Sequence, residues 1–123
     1  MAVETLQTRM GEIHVIRPDD DPETVYLRAE VGSAAELANP AHYLRAALAG
    51  NRFGLGTNGA VLSLGDDEKA TVYLTQRMTA DAATPEALEA ALQPFAAALF
   101  RWRERLDLEA KNPADAVEEG EVR

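Results

Sequence analysis

Apolar positions recur along this chain in two rhythms. Over residues 3–17 and 24–31 the period is two. Ile13, Val15 and Arg17 share one face of the first stretch, with His14 and Ile16 on the other. Val25, Leu27, Ala29 and Val31 alternate with Tyr26, Arg28 and Glu30 in the second. Alternation at this length predicts half-buried strands, because successive side chains leave a strand on opposite faces. Between the two lies Pro18-Asp19-Asp20-Asp21-Pro22, which has turn chemistry and whose prolines cannot continue a ladder.

After Gly32 and Ser33 the rhythm changes. Asn39 can cap a helix and Pro40 suits its first position, so a short helix is predicted from Pro40 to Ala49 and ended by Gly50 and Asn51. Its apolar stripe is Tyr43, Leu44, Ala47 and Leu48. Period two then returns twice. Ala60, Leu62 and Leu64 alternate with Val61 and Ser63, and Val72 and Leu74 with Tyr73 and Thr75. Gly65 to Lys69 joins them as a hairpin connection.

Thr84-Pro85-Glu86 opens a second helix with a cap, a first-turn proline and an acid facing the dipole. Its seam is Leu88, Leu92, Phe95, Leu99, Trp102 and Leu106, in alternating steps of four and three, which packs the helix along its whole length. Pro94 removes a hydrogen bond inside that helix and predicts a bend near Ala90. The pattern is that of one α+β domain over residues 1–109. A twisted antiparallel sheet is packed by a long C-terminal helix, with a short helix between strands. Residues 110–123 have no periodicity and are expected to form a disordered acidic tail.

The counts narrow the function classes. At 123 residues the chain suits one domain able to bury roughly two-thirds of its unfolded surface. Twelve Lys and Arg against 21 Asp and Glu give a net charge of −9, which opposes binding to nucleic-acid backbones and to anionic membranes. The absence of cysteine removes disulfides and thiolate chemistry and fits a reducing cytoplasm. Met-Ala-Val-Glu-Thr has no basic region before an apolar stretch, so no signal peptide is expected.

Individual motifs point away from catalysis and cofactors. Gly54-Leu55-Gly56-Thr57-Asn58-Gly59 matches a dinucleotide fingerprint in spelling, but a helix precedes it and a strand follows, the reverse of the order a pyrophosphate site needs. Asp19 to Asp21 with Glu23 lack the ligand alternation and glycine of a calcium loop, and Asp66 to Glu68 sit at a hairpin tip. His14 and His42 have no second imidazole at ligand spacing, and His42 is expected at a surface or interface. Ser63 has no nucleophile-elbow setting. Arg101, Arg103 and Arg105 are spread around Trp102 and read as a solvated helix end. No catalytic, metal-binding or cofactor-binding residue is expected.

What remains is apolar surface. Ile13, Val15, Val25 and Leu27, beside the short apolar helix, offer more faces than one long helix covers. One reading places them all in the monomer core. The other assigns part to a homodimer and part to a bound segment of another protein.

From Tyr43 to Leu106 the sequence resembles the type III secretion chaperones of the Tir-chaperone group. The resemblance lies in Leu44-Arg45-Ala46-Ala47-Leu48 running through Gly50-Asn51 into Gly56-Thr57-Asn58-Gly59-Ala60-Val61-Leu62-Ser63-Leu64, in Thr71 to Arg77, and in the helix that ends Trp102-Arg103-Glu104-Arg105-Leu106. It implies an ATP-independent homodimer, without enzymatic activity, that holds the N-terminal segment of a secreted effector in extended, secretion-competent form. By that analogy Tyr43, Leu44, Leu48, Phe53, Val61 and Ser63 form the dimer contact. Ile13, Val15, Val25, Leu27, Val72 and Leu74 are then the candidate client positions. The alternative is a regulatory or adaptor domain of the same fold that binds a folded partner. Two features depart from the family pattern: no amphipathic helix of several turns precedes the first strand, and Pro94 interrupts a usually smooth helix.

Overall fold

The computed structural model describes residues 1–111. Strands β1 (Ala2–Thr8), β2 (Gly11–Arg17) and β3 (Thr24–Ser33) lead into helix α1 (Pro40–Gly50). A single 3₁₀ turn, Arg52–Gly54, precedes β4 (Val61–Leu64) and β5 (Thr71–Thr79), and helix α2 (Pro85–Lys111) follows. The five strands form one antiparallel sheet in the order β1-β2-β3-β5-β4. The α+β architecture is as expected.

The residues expected to be one extended stretch, 3–17, fold back as the β1–β2 hairpin, with Thr8 opposite Gly11. Thr8 Oγ1 donates to Gly11 O and accepts from Met10 N, and Gly11 takes φ +92°, open to glycine at little cost. The β4–β5 connection is held by Asp67, whose carboxylate accepts from Thr71 N and Thr71 Oγ1. Those bonds keep its pKa below the usual carboxylate range.

Both helix starts match their sequence signals. Asn39 Oδ1 accepts from His42 N at 3.2 Å, and Thr84 Oγ1 accepts from Ala87 N at 3.2 Å. Helix α2 runs on through Pro94, and Asn58 Nδ2 donates to the Pro94 carbonyl at 2.9 Å. The helix extends past residue 109 to Lys111; the rest of the expected tail lies outside the described residues.

The core lies between one sheet face and the seam of α2. Ile13, Val15, Val25, Leu27, Ala29, Val72 and Leu74 meet Phe95, Leu99, Trp102 and Leu106 there. Helix α1 joins the same layer through Tyr43 and Ala47. Tyr43 is fully buried, donates its hydroxyl to the Trp102 carbonyl at 2.9 Å, and meets the indole edge-on at 6.0 Å. Burial raises the Tyr43 pKa far above its usual value, with Glu109 adding to the effect.

Two sequence expectations fail in the same place, where α2 is bonded to the rest of the molecule. His42 is not at the surface: its Nδ1 lies 2.9 Å from Glu109 Oε1, with the two side chains 8% and 10% exposed. Arg105 Nε donates to the other Glu109 oxygen at 3.1 Å. Arg103 is not solvated either. It donates to the Glu30 carbonyl through Nη2 at 2.6 Å and Nε at 3.2 Å, and also to the Met10 carbonyl. It thereby ties the β1–β2 turn and the β3 bulge to α2. Its partial burial lowers its pKa.

Removing Glu109 takes one carboxylate oxygen from the buried His42 imidazole and one from the half-buried Arg105 guanidinium. Glu109→Ala is expected to cost about 1–3 kcal/mol in urea denaturation followed by far-ultraviolet circular dichroism. Glu109→Gln, which keeps one oxygen acceptor, should lose less. Equal losses would show that the charge, and neither the volume nor a single acceptor oxygen, carries the contribution.

Candidate binding surfaces

Two surfaces are built by the chain from α1 to β4 and by the sheet face turned away from α2. The first begins at α1. Only one side of this helix is buried, through Tyr43 and Ala47, so the expected four-residue stripe splits. Leu44 is half-buried and Leu48 is 74% exposed. Phe53 follows in the 3₁₀ turn, 88% exposed and in the left-handed region at φ 54°, a conformation that costs a bulky residue about 1–2 kcal/mol. Leu55 is 78% exposed.

This connection is compact despite its exposed leucine and phenylalanine. Gly59 N donates to Gly54 O at 2.9 Å, and a Cβ on Gly54 would stand 2.9 Å from the Gly59 Cα. Gly56 accepts from Trp102 Nε1 at 2.9 Å and from Arg101 Nη1 at 3.2 Å. The glycine triplet therefore fits a tight helix-to-strand crossing against α2, as its position in the sequence order indicates.

Asn51 fixes the next element. Its side chain accepts from Leu62 N at 2.7 Å and donates to Leu62 O at 2.8 Å, acting as a short neighbouring strand on the outer edge of β4. That places Leu62 inward, and Val61 and Leu64 about half exposed. Leu44, Leu48, Leu62, Leu64 and Val72 line a shallow apolar groove between α1 and β4. Apolar side chains from Leu48 to Leu64 thus stay in solvent on one stretch of chain, the usual signature of a surface that another protein covers.

The positions expected at the dimer contact divide accordingly. Leu48, Phe53, Val61 and Ser63 are exposed and Leu44 is half-buried, whereas Tyr43 is core. The six candidate client positions occupy one place of a different kind. Ile13, Val15, Val25, Leu27, Val72 and Leu74 all lie in the core, none more than 3% exposed, and Val72 sits at the floor of the groove between α1 and β4. They face the core because they share the parity of the sheet that α2 covers, so in this conformation their side chains offer no surface to a client. Leu55 and Leu64 are surface residues that the sequence reading did not include. A leucine flanked by glycines, and one at the last position of an edge strand, were the available signals.

The second surface is the uncovered face of the sheet. Register puts His14 and Ile16 beside Arg28 and Tyr26, and those beside Thr75 and Arg77, with Tyr73 opposite Glu30. None of these side chains is buried. The Arg28 guanidinium lies over the Tyr73 ring at 3.9 Å. Among the described residues, no three acidic or imidazole side chains could hold a metal ion, and no helix is long and apolar enough to cross a membrane.

The sequence pattern of the Tir chaperone protein (CesT) family matches residues 3–103. The chain belongs to the Tir chaperone family. No curated protein matches the sequence significantly. Among solved structures, the chain superposes on the ExsC–ExsE complex with a TM-score of 0.64 and 21% identity, over 85% of this chain and 76% of that one. It also superposes on an uncharacterized protein from Methanothermobacter thermautotrophicus with a TM-score of 0.53 and 13% identity, over 83% and 73% of the two chains. At these identities the shared property is the Tir chaperone fold.

Proposed function

We propose that this protein is a type III secretion chaperone that works without ATP or catalysis, in the bacterial cytoplasm. It pairs with a second copy and holds the N-terminal segment of a secreted effector extended. Membership in the Tir chaperone family supports the class, and the structural neighbour with a TM-score of 0.64 is a chain of the two-protein ExsC–ExsE complex. The observation that carries the reading is the run of exposed apolar side chains from Leu48 to Leu64.

The two edges of the sheet suit different partners. On the β4 side, Asn51 already occupies the strand's outer hydrogen-bonding groups at Leu62, and Leu48, Phe53 and Val61 surround it, which suits a second copy. On the opposite side, β1 is a seven-residue edge strand with no neighbour beyond it among the described residues. Backbone groups on such an edge accept an added strand with little demand on its sequence, as a holdase for a disordered segment requires.

The test is co-expression with N-terminal segments of effectors encoded beside this gene. The expected result is a stable complex of two chains with one segment by light scattering, in which the segment stays sensitive to dilute protease. Capture of folded domains only would replace the chaperone reading with an adaptor of the same fold.

A further inference from the structure

The glycine-rich connection before β4 ends on the outer edge of that strand. Leu62 turns its backbone N–H and C=O away from β5, and the Asn51 side chain takes both, at 2.7 and 2.8 Å. Along an edge strand, groups pointing the same way recur at every second residue. Ala60 shares the parity of Leu62, and Thr57 takes both of its groups. The Ala60 N–H donates to the Thr57 carbonyl at 3.1 Å, and Thr57 Oγ1 donates to the Ala60 carbonyl. Two successive positions of the β4 edge are thus closed from within the chain.

Both covering residues are held in place. Thr57 is fully buried. Asn51 keeps helical backbone angles, and its N–H donates to the Ala47 carbonyl at 3.1 Å, so its side chain starts from a fixed point at the end of α1. Gly56 lies so near Gly50 that a Cβ there would stand 2.8 Å from the Gly50 Cα. The glycines let the chain fold this tightly and bring Thr57 and Asn51 to the strand together.

Without that cover, β4 would be the edge that draws an extended segment. Val61 and Leu64 are each 53% exposed, beside the groove that Leu48 also lines. Apolar side chains next to free backbone groups are what an added strand seeks. The β1 edge is more polar, with Glu4, Thr5, Gln7 and Thr8. A segment pairing with β4 must break as many bonds at Ala60 and Leu62 as it makes there, which leaves little gain. Resting on the chaperone reading, we infer that Asn51 and Thr57 close the β4 edge and thereby send the extended client to β1. They decide which edge of the sheet takes the strand.

The probe is the blocked peptide Lys-Thr-Val-Thr-Val-Thr-Lys, titrated into the ¹⁵N-labelled full chain. An N-methylated counterpart keeps the side chains and cannot pair. Both titrations are repeated in Leu48→Asp, which takes away a second copy as a cover for β4. In either protein the expected shifts fall on residues 2–8, residues 60–64 stay silent, and the N-methylated peptide shifts neither. Adding Asn51→Ala to Leu48→Asp should speed exchange of the Leu62 amide at least about tenfold. Peptide affinity at β4 should rise by a similar factor, since two bonds no longer have to be displaced. Alanine suits the helical backbone of residue 51, so α1 still ends there. Asn51→Asp, which still accepts from the Leu62 N–H, should leave that amide slow and bind less peptide at β4 than the alanine variant. Shifts at β4 in Leu48→Asp with Asn51 in place overturn the inference without any change at residue 51. A β4 edge that stays silent in Asn51→Ala overturns it too, as does a β1 edge silent throughout. Effector capture with a β4 edge that Asn51→Ala does not open sinks this inference alone. An edge opened by Asn51→Ala, with no effector segment captured, sinks the chaperone reading and leaves the closure of β4 standing.

Discussion

Trp102→Ala is expected to destabilise the domain by about 3–5 kcal/mol, a large part of the roughly 5–15 kcal/mol that holds a domain this size together. The magnitude follows from what the indole touches. It is 5% exposed, meets Tyr43 edge-on, and donates to the Gly56 carbonyl at 2.9 Å. Gly50 packs so closely that a Cβ there would stand 2.4 Å from the Trp102 ring. One side chain therefore joins α2 to α1 and to the glycine-rich crossing that positions Phe53 and Leu55. The loss should be measured by circular dichroism, because Trp102 is the chain's single tryptophan and its removal abolishes the fluorescence signal. Trp102→Phe keeps most of the ring and loses the hydrogen bond, and should cost about 1–2 kcal/mol. A loss below 1 kcal/mol for the alanine variant would mean that α1 and its loop are held elsewhere.

Those contacts also show why some features could be read from residues alone and others not. The α2 seam was readable because steps of four and three repeat over the helix, and Phe95, Leu99, Trp102 and Leu106 are indeed buried. Asn39 and Thr84 were readable as caps because capping is chemistry within three residues. The β1–β2 turn was not. It uses Arg9 and Met10 ahead of Gly11, a pair with none of the usual Asn-Gly or Asp-Gly signals. His42 was misplaced because its partner, Glu109, is 67 residues away.

The binding surfaces were harder still, for a geometric reason. Alternation shows that a strand has two faces and that one is apolar. It does not show which face a distant helix will cover. Ile13, Val15, Val25 and Leu27 were candidates for a client because they are apolar, and α2 covers them for the same reason. The polar parity of the same strands, Arg28 and Tyr26, reads in sequence as an ordinary solvated face. Only the pairing of β3 with β5 brings Arg77 and Tyr73 alongside. Leu48 behaves oppositely. It belongs by spacing to the α1 stripe, yet the helix is too far rotated toward Tyr43 and Ala47 to bury it.

That exposure makes Leu48→Asp a sharp test of the pairing of two copies. In the monomer the side chain is 74% exposed, so a carboxylate there should change monomer stability by no more than about 0.5 kcal/mol. In a symmetric dimer built on α1 and β4, each Leu48 would be desolvated against the partner copy, and an aspartate would bring an unpaired charge into the apolar centre of that contact. Dimer affinity should fall at least about a hundredfold. At a fixed micromolar concentration, sedimentation velocity should show the parent as dimer and the variant as monomer, or as aggregate where Phe53 and Leu55 are left uncovered. Phe53→Ser should weaken the dimer by a smaller factor, because it removes apolar contact area without bringing a charge into the interface, and the left-handed backbone of residue 53, common to both states, cancels. An unchanged dimer in Leu48→Asp would remove α1 from the interface. The exposed run from Leu48 to Leu64 would then have to be covered by something other than a second copy, with the Asn51 side chain still occupying the β4 edge at Leu62.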